Sequence, residues 1–106
     1  MKKVNNREMI RHVVTVRLRG EEAERKAAAM KFKEAIEALP EVIDVLKKVE
    51  VGINMNPAET FDMALIAEAE TLADVAAYSA HPAHVAAVGI IKPMIESRTC
   101  VDYEVK

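Results

Sequence analysis

Residues 9 to 19 read MIRHVVTVRLR, and this stretch decides how the chain begins to fold. Side chains of a β-strand alternate between the two faces of a sheet, so every second residue shares a face. One face of this segment is apolar except for a single histidine: Ile10, His12, Val14, Val16 and Leu18. The alternation therefore predicts a strand whose apolar face is interrupted by one imidazole.

The segments that follow alternate between helical and extended patterns. Residues 21–39 lack glycine and proline and place apolar residues at helical spacing, which predicts an amphipathic helix that ends before Pro40. Residues 42–53 and 61–69 both alternate, and the turn chemistry between them predicts a β-hairpin.

The last third of the chain predicts an interrupted helix and a final strand. Thr71 can cap a helix that must break before Pro82, and a new helix can start with that proline at its first position. Pro93 ends or tightens this helix, and residues 98–105 alternate again. The order β-α-β-β-α-β predicts an α+β, ferredoxin-like fold, in which an antiparallel four-stranded sheet carries both helices on one face.

Length and composition predict one folded domain. The chain has 106 residues, 51% hydrophobic and 30% charged, which is typical of a globular protein. We assign the domain to residues 9–106 and interpret residues 1–8 as a flexible leader or the extension of an upstream start. A net charge of -2 favours neither nucleic acid nor an anionic membrane, and no apolar run approaches the ~20 residues that span a bilayer. The single cysteine, Cys100, fits a reducing compartment, and we expect a cytoplasmic protein.

Two helices can cover only one face of a four-stranded sheet. The other face is predicted to carry Val13, Ala64 and Ile66 at its centre. Charged residues surround this centre: Arg11, Arg17, Asp62 and Glu68. An apolar patch with a charged rim is typical of a protein interface, so we expect a homodimer built sheet against sheet. The alternative is a solvated face with scattered apolar residues.

The run His81-Pro82-Ala83-His84 raises the question of a metal site. Zinc needs three or four ligands, and this run offers two, while Cys100 lies far along the chain on another strand. We therefore expect no metal and no cofactor. His81 is expected at the helix cap, where it serves as a capping or surface residue.

His84 differs from His81 because it shares a helical stripe with Val88 and Ile91. The stripe is apolar, so His84 should face the sheet, where His12 also points. Tyr78 can lean over the same spot. Two interpretations stay open: these groups are buried and neutral and serve packing, or they line a cavity in which His84 is a general base.

Three segments together resemble the stress-responsive A/B barrel domain (Dabb) family: MIRHVVTVRL, YSAHPAHVAAV and VDYEV. The resemblance spans residues 9–105 and implies a ferredoxin-like subunit that pairs into a dimeric α+β barrel, with a cavity between sheet and helices. Most members have no assigned activity. One plant member is a polyketide cyclase, and its implied site residues match Tyr78, His84 and His12. Met63 stands here where that cyclase has a further histidine.

These patterns lead to three functional hypotheses. The first is a homodimer of unassigned activity whose small apolar cavity binds a small apolar or aromatic ligand through His81, Met63, Val88 and Ile91. The second is a cofactor-free cyclase, lyase or isomerase in which His84 is the base, Tyr78 an orienting donor and His12 a polar wall. The third is a cofactor-free monooxygenase. We interpret Cys100, Asp102 and Tyr103 as structural.

Overall fold

The computed structural model describes residues 9 to 106, so the predicted leader at residues 1–8 lies outside the described part of the chain. The elements follow in the order β1 (Met9–Leu18), α1 (Glu22–Glu37), β2 (Lys48–Ile53), β3 (Met63–Ala69), α2 (Leu72–Ala80), α3 (Pro82–Gly89) and β4 (Ile95–Val105). Short 3-10 turns at Leu39–Glu41 and Lys92–Met94 contain the two prolines that follow α1 and α3. Within residues 9 to 106, no helix has both the length and the apolar character that crossing a bilayer requires.

The four strands form one sheet in the order β2-β3-β1-β4, and every neighbouring pair is antiparallel. This arrangement confirms the predicted ferredoxin-like fold. The opening strand lies in the middle of the sheet because it pairs with β3 on one side and with the last strand on the other. Residues far apart in sequence are therefore brought side by side along β1.

The core lies between one face of the sheet and the helices. Val14, Val16 and Leu18 of β1 are buried there, together with Phe32 and Ile36 of α1. Helix α1 packs on β2 and touches α3, whereas α2 packs on β1 and β3. Full burial of each such side chain contributes roughly 1.5–3 kcal/mol, and the alternation of β1 supplies three of them: Val14, Val16 and Leu18.

The edge strand β4 is exposed over most of its length. Its residues Arg98, Cys100 and Asp102 pair with positions of β1 whose side chains face the helices, and all three are nonetheless exposed. The helices thus cover β1, β2 and β3 but leave the helix side of β4 open to solvent. A polar site at the border of the core can be reached from this edge.

One predicted strand is shorter than its sequence pattern. We predicted a strand over residues 42–53, but β2 begins only at Lys48. The turn after Pro40 continues through backbone hydrogen bonds from Val42 and Ile43 to the carbonyl of Leu39. Ile43 is buried without belonging to a strand. A compact connection can therefore show the same alternation of apolar residues as a strand.

Asp62 was predicted at the charged rim of the open face, and this prediction is wrong. Its carboxylate accepts hydrogen bonds from the backbone N–H of Leu18 at 2.6 Å and from Nε of Arg25 at 3.0 Å. Arg25 lies on α1, so Asp62 joins the end of β1 to the helix layer. The alternation of β3 does not extend to this residue, because the strand starts one residue later, at Met63.

Candidate functional site

His12 is the one buried polar or charged residue that residues 9 to 106 place in the core, with 6% of its surface exposed. It lies directly opposite Asp102 in the antiparallel pair of β1 and β4. Cross-strand partners share a face of the sheet, and the two side chains meet there. His12 Nδ1 lies 2.5 Å from Asp102 Oδ1, so the carboxylate fixes the orientation of the imidazole. When Nδ1–H is the donor, Nε2 is left as an acceptor.

The helix is interrupted before Pro82, as the sequence predicts: α2 ends at Ala80 and α3 begins at Pro82. Thr71 Oγ1 accepts a hydrogen bond from the N–H of Asp74 and caps α2. His81 is extended at φ -63° and ψ 136°, and Pro82 then occupies the first turn of α3. His81 Nδ1 accepts a hydrogen bond from the N–H of Ala83 at 3.0 Å, so this imidazole is the cap of α3.

The hydrogen bond of His84 defines its tautomer. Nδ1 lies 2.9 Å from the carbonyl oxygen of Ser79, and a carbonyl only accepts, so Nδ1 carries the proton. In the neutral ring the lone pair is then on Nε2. Burial lowers the pKa of His84 below its ordinary value of 6.5, and repulsion by His12 and Arg98 acts in the same direction. The Ser79 carbonyl opposes this shift. Burial therefore favours the neutral form of His84, in which Nε2 carries the lone pair.

Tyr78 contacts both histidines. Its ring centroid lies 4.5 Å from that of His84 and 6.2 Å from that of His12, and both pairs meet edge to face. The residue is 1% exposed, and its buried hydroxyl oxygen has no hydrogen-bond partner among residues 9 to 106. Burial raises the pKa of Tyr78, so the phenol keeps its proton and can donate. We refer to these three side chains as the His12–Tyr78–His84 layer.

The family comparison agrees with the fold and with the segments quoted above. The Stress responsive A/B Barrel Domain (Dabb) family matches residues 10–105. This chain belongs to the Dabb family. No curated protein matches it.

Solved structures show how widely this Dabb fold occurs. A dimeric protein of unknown function from Bacteroides fragilis, with a ferredoxin-like fold, is 49% identical over 92% of this chain and 96% of its own, with a TM-score of 0.89. A dimeric ferredoxin-like protein of unknown function from Thermobifida fusca is 26% identical over 98% of this chain and 97% of its own, with a TM-score of 0.77. A hydroxynitrile lyase from Passiflora edulis is 17% identical over 94% of this chain and 95% of its own, with a TM-score of 0.72. At that identity the last comparison shows a shared fold only.

The four residues predicted to bind ligand take different places in the fold. His81 is used as a cap, and Val88 is partly buried against the core. Ile91 is 1% exposed in the core. Met63 is 3% exposed and pairs with Val16, far along the sheet from His12. The structure thus brings together the three residues predicted to be catalytic and leaves Met63 apart from them.

Three residues of β4 complete the surroundings of the layer, and the sequence pattern did not predict them as site residues. Asp102 orients His12, and Cys100 Sγ lies 3.5 Å from His12 Nδ1. Arg98 lies near both His84 and Cys100, and its positive charge disfavours protonation of His84. Their alternation in RTCVDYEV places them on one face, but only the pairing of β1 with β4 shows that this face adjoins His12.

Two clefts in this Dabb protein lie elsewhere. One, of about 790 Å³, opens where β1 ends and the loop between β2 and β3 begins, and its walls include Gly20, Arg25 and Asn54. The other, of about 260 Å³, lies on the open face beside Ile66 and Tyr103. Neither of these two clefts is lined by residues of the His12–Tyr78–His84 layer.

Proposed function

We propose that this Dabb protein is a homodimer that binds a small organic ligand at the His12–Tyr78–His84 layer. The ligand carries a hydrogen-bond acceptor, such as a carbonyl oxygen. The observation that carries the proposal is the Tyr78 hydroxyl, which is buried without a partner between two histidines. A buried donor without a hydrogen bond costs about 1–3 kcal/mol, and a ligand acceptor removes that cost.

The dimer is supported by the composition of the open face. Ile66, Val13 and Val101 are register neighbours across three strands and form an apolar row. Val101 is 60% exposed in the single chain, and Tyr103 is 43% exposed. An exposed apolar row of this kind favours burial against a second copy, and the relative that is 49% identical is dimeric.

A polar row beside the apolar one is already paired within the chain. Arg11 donates to Glu68 Oε2 from Nε at 3.0 Å and from Nη2 at 2.9 Å, and to the Tyr103 hydroxyl from Nη1 at 3.3 Å. Charges that are paired before they are buried need no new partner from the second copy. The pairing therefore lowers the cost of burying Arg11 and Glu68 against a second open face.

Oligomeric state tests the dimer with two matched valines. Val101 on the open face is 60% exposed, and Val42, in the connection after α1, is 59% exposed. We expect Val101→Arg to shift the protein to monomer in size-exclusion chromatography with light scattering, and Val42→Arg to stay dimeric. A monomeric unsubstituted protein, or a dimer that tolerates Val101→Arg, would contradict a dimer through the open face.

Ligand binding can be tested with two probes of the same shape. Acetophenone carries a carbonyl oxygen, whereas α-methylstyrene has a CH₂ group in its place. We expect acetophenone to shift amide resonances around Tyr78 and to bind the unsubstituted protein more tightly than Tyr78→Phe. The styrene should not distinguish the two proteins. If neither probe perturbs α2, α3 or β1, or if acetophenone binds Tyr78→Phe as tightly as it binds the unsubstituted protein, the proposed site is wrong.

The second candidate is a cofactor-free enzyme, favoured by the free Nε2 of a neutral His84. With Tyr78 donating to a substrate carbonyl, Nε2 can accept a proton from the adjacent carbon, and the developing enolate oxygen is held by the phenol. The Passiflora edulis lyase is an enzyme of the same fold, but fold alone does not carry an activity from one protein to another.

Deuterium exchange of the acetophenone methyl group tests this candidate separately from binding. In D₂O we expect the protein to accelerate exchange beyond an equal concentration of imidazole, and His84→Asn to abolish the acceleration. The rate should rise with pH up to the pKa of His84 and then level off. Binding without accelerated exchange would leave the binding function and remove the enzymatic one.

A further inference from the structure

Three side chains at the exposed edge of the sheet form a cluster that the proposed function does not use as a unit. The possible ligand atoms of His12, Cys100 and Asp102 all lie within 4.8 Å of one another. His12 Nδ1 is 3.5 Å from Cys100 Sγ and 2.5 Å from Asp102 Oδ1, and Cys100 Sγ is 3.8 Å from Asp102 Oδ1. Nitrogen, sulfur and oxygen donors thus surround one point.

The fold builds this cluster from one strand pair. Cys100 and Asp102 are two residues apart on β4 and share a face, and Asp102 is the register partner of His12 on β1. His12 is buried, whereas Cys100 and Asp102 are exposed. The cluster therefore rests on the rigid centre of the sheet and opens to solvent on one side.

The separations are close to those of a tetrahedral metal site. With zinc bonds of about 2.0 Å to nitrogen or oxygen and about 2.3 Å to sulfur, neighbouring ligands lie about 3.3–3.6 Å apart. The two separations that involve Cys100 are near this range. Only His12 and Asp102, which share a hydrogen bond, must move apart, by about 0.8 Å on the same tetrahedral geometry.

We propose that His12, Cys100 and Asp102 bind one divalent transition-metal ion of the zinc or cobalt type, with water at the fourth position. Imidazole and thiolate select such ions over Mg²⁺ or Ca²⁺, and three protein ligands with one open position are typical of accessible zinc sites. The metal site shares His12 with the proposed ligand site, but it does not depend on the proposed function, because neither Tyr78 nor His84 is a ligand. The sequence suggested no such site, since the run around Pro82 offers only two imidazoles.

Binding requires two proton changes. The Cys100 thiol must release its proton to solvent, because the thiolate is the ligand. The His12 proton must move from Nδ1 to Nε2, because Nδ1 then binds the ion.

Cobalt titration tests the site, because a thiolate on Co²⁺ gives a sulfur-to-metal charge-transfer absorption. We expect the unsubstituted protein to show this band and Cys100→Ser to lose it, with affinity falling at least about tenfold. Asp102→Asn should keep the band but bind at least about tenfold more weakly. Zn²⁺ should compete with Co²⁺ for the same site.

Two controls separate this site from the others. Tyr78→Phe should leave cobalt affinity unchanged, even where it abolishes acetophenone binding. His81→Asn should also leave it unchanged, because His81 lies outside the cluster. Absence of the sulfur band, or equal affinity in Cys100→Ser, would overturn the proposal. Loss of binding in His81→Asn alone would do the same, since the ion would then sit at the helix break.

Discussion

Replacing Tyr78 with phenylalanine removes one oxygen atom from the core and leaves the ring in place. That oxygen is buried without a hydrogen-bond partner, and the residue is 1% exposed. The ring contacts with His12 and His84 do not need the hydroxyl. The substitution therefore isolates the free energy of one unpaired buried donor.

The expected effect is stabilisation, which is unusual for a core substitution. A polar group that is buried without a partner costs about 1–3 kcal/mol, and phenylalanine does not pay this desolvation cost. For a domain of this size each kcal/mol raises the melting temperature by about 4–8 °C. We expect Tyr78→Phe to melt at least about 4 °C higher than the unsubstituted protein when no ligand is bound.

Thermal and urea unfolding at one fixed protein concentration measure this difference, because dimerisation makes the melting temperature depend on concentration. Tyr103→Phe is the matched control. The Tyr103 hydroxyl accepts a hydrogen bond from Arg11 and is partly exposed, so its removal should be neutral or destabilising. The two tyrosines of the chain thus predict effects of opposite sign.

A loss of about 1 kcal/mol or more in Tyr78→Phe would refute this reasoning. It would mean that the hydroxyl already has a partner, such as a buried water, in the ligand-free protein. The argument for a ligand acceptor at Tyr78 would then fail, whereas the fold and the cobalt site would be unaffected.

Three further predictions concern stability. Ile36→Ala should lower the free energy of unfolding, measured in urea, by about 2–5 kcal/mol, because Ile36 is 0% exposed. Met30→Ala on the same helix should change it by no more than about 0.5 kcal/mol, and similar effects of the two substitutions would refute the assigned core. Hydrogen bonds from Lys33 and from the backbone N–H of Val51 hold the pKa of Glu37 below its ordinary value of 4.5. Glu37→Gln should therefore destabilise the protein above pH 4.5, and this effect should disappear as the pH falls further; a destabilisation that does not depend on pH would contradict this. Burial lowers the pKa of His84 below 6.5, so the unfolded chain binds a proton at this imidazole more readily than the folded chain. The free energy of unfolding should therefore decrease as the pH falls below 6.5, and an NMR titration of the His84 imidazole with a midpoint above 6.5 would disprove this.

The sequence predicted best those elements in which the alternation of apolar residues is unbroken or a helix start is marked by a capping residue or a proline. The alternation of β1 identified its buried face before any tertiary contact was known, and Thr71 and Pro82 marked the two helix starts. The prediction failed over residues 42–47, where a proline-initiated turn buries apolar residues without forming a strand. Apolar periodicity reports burial, and it identifies a strand only where the backbone hydrogen bonds pair with a neighbour.

The candidate site likewise has features that the sequence predicted and one that it did not. The sequence placed His84 on the apolar side of its helix and His12 on the apolar face of its strand, because each orientation follows from a local repeat of 3.6 or 2 residues. The free hydroxyl of Tyr78 was not predictable, because a hydroxyl is left unpaired only when every neighbouring element is in place.

By itself, then, the sequence determined the order of strands and helices, the face that each presents to the core, and the break at Pro82. Tertiary structure alone decided which distant residues meet, above all that Asp102 and Cys100 lie beside His12, about ninety positions earlier in the chain. The physical reason is that side-chain direction is a local property of the backbone, whereas strand register is set by hydrogen bonds between segments that the sequence keeps apart.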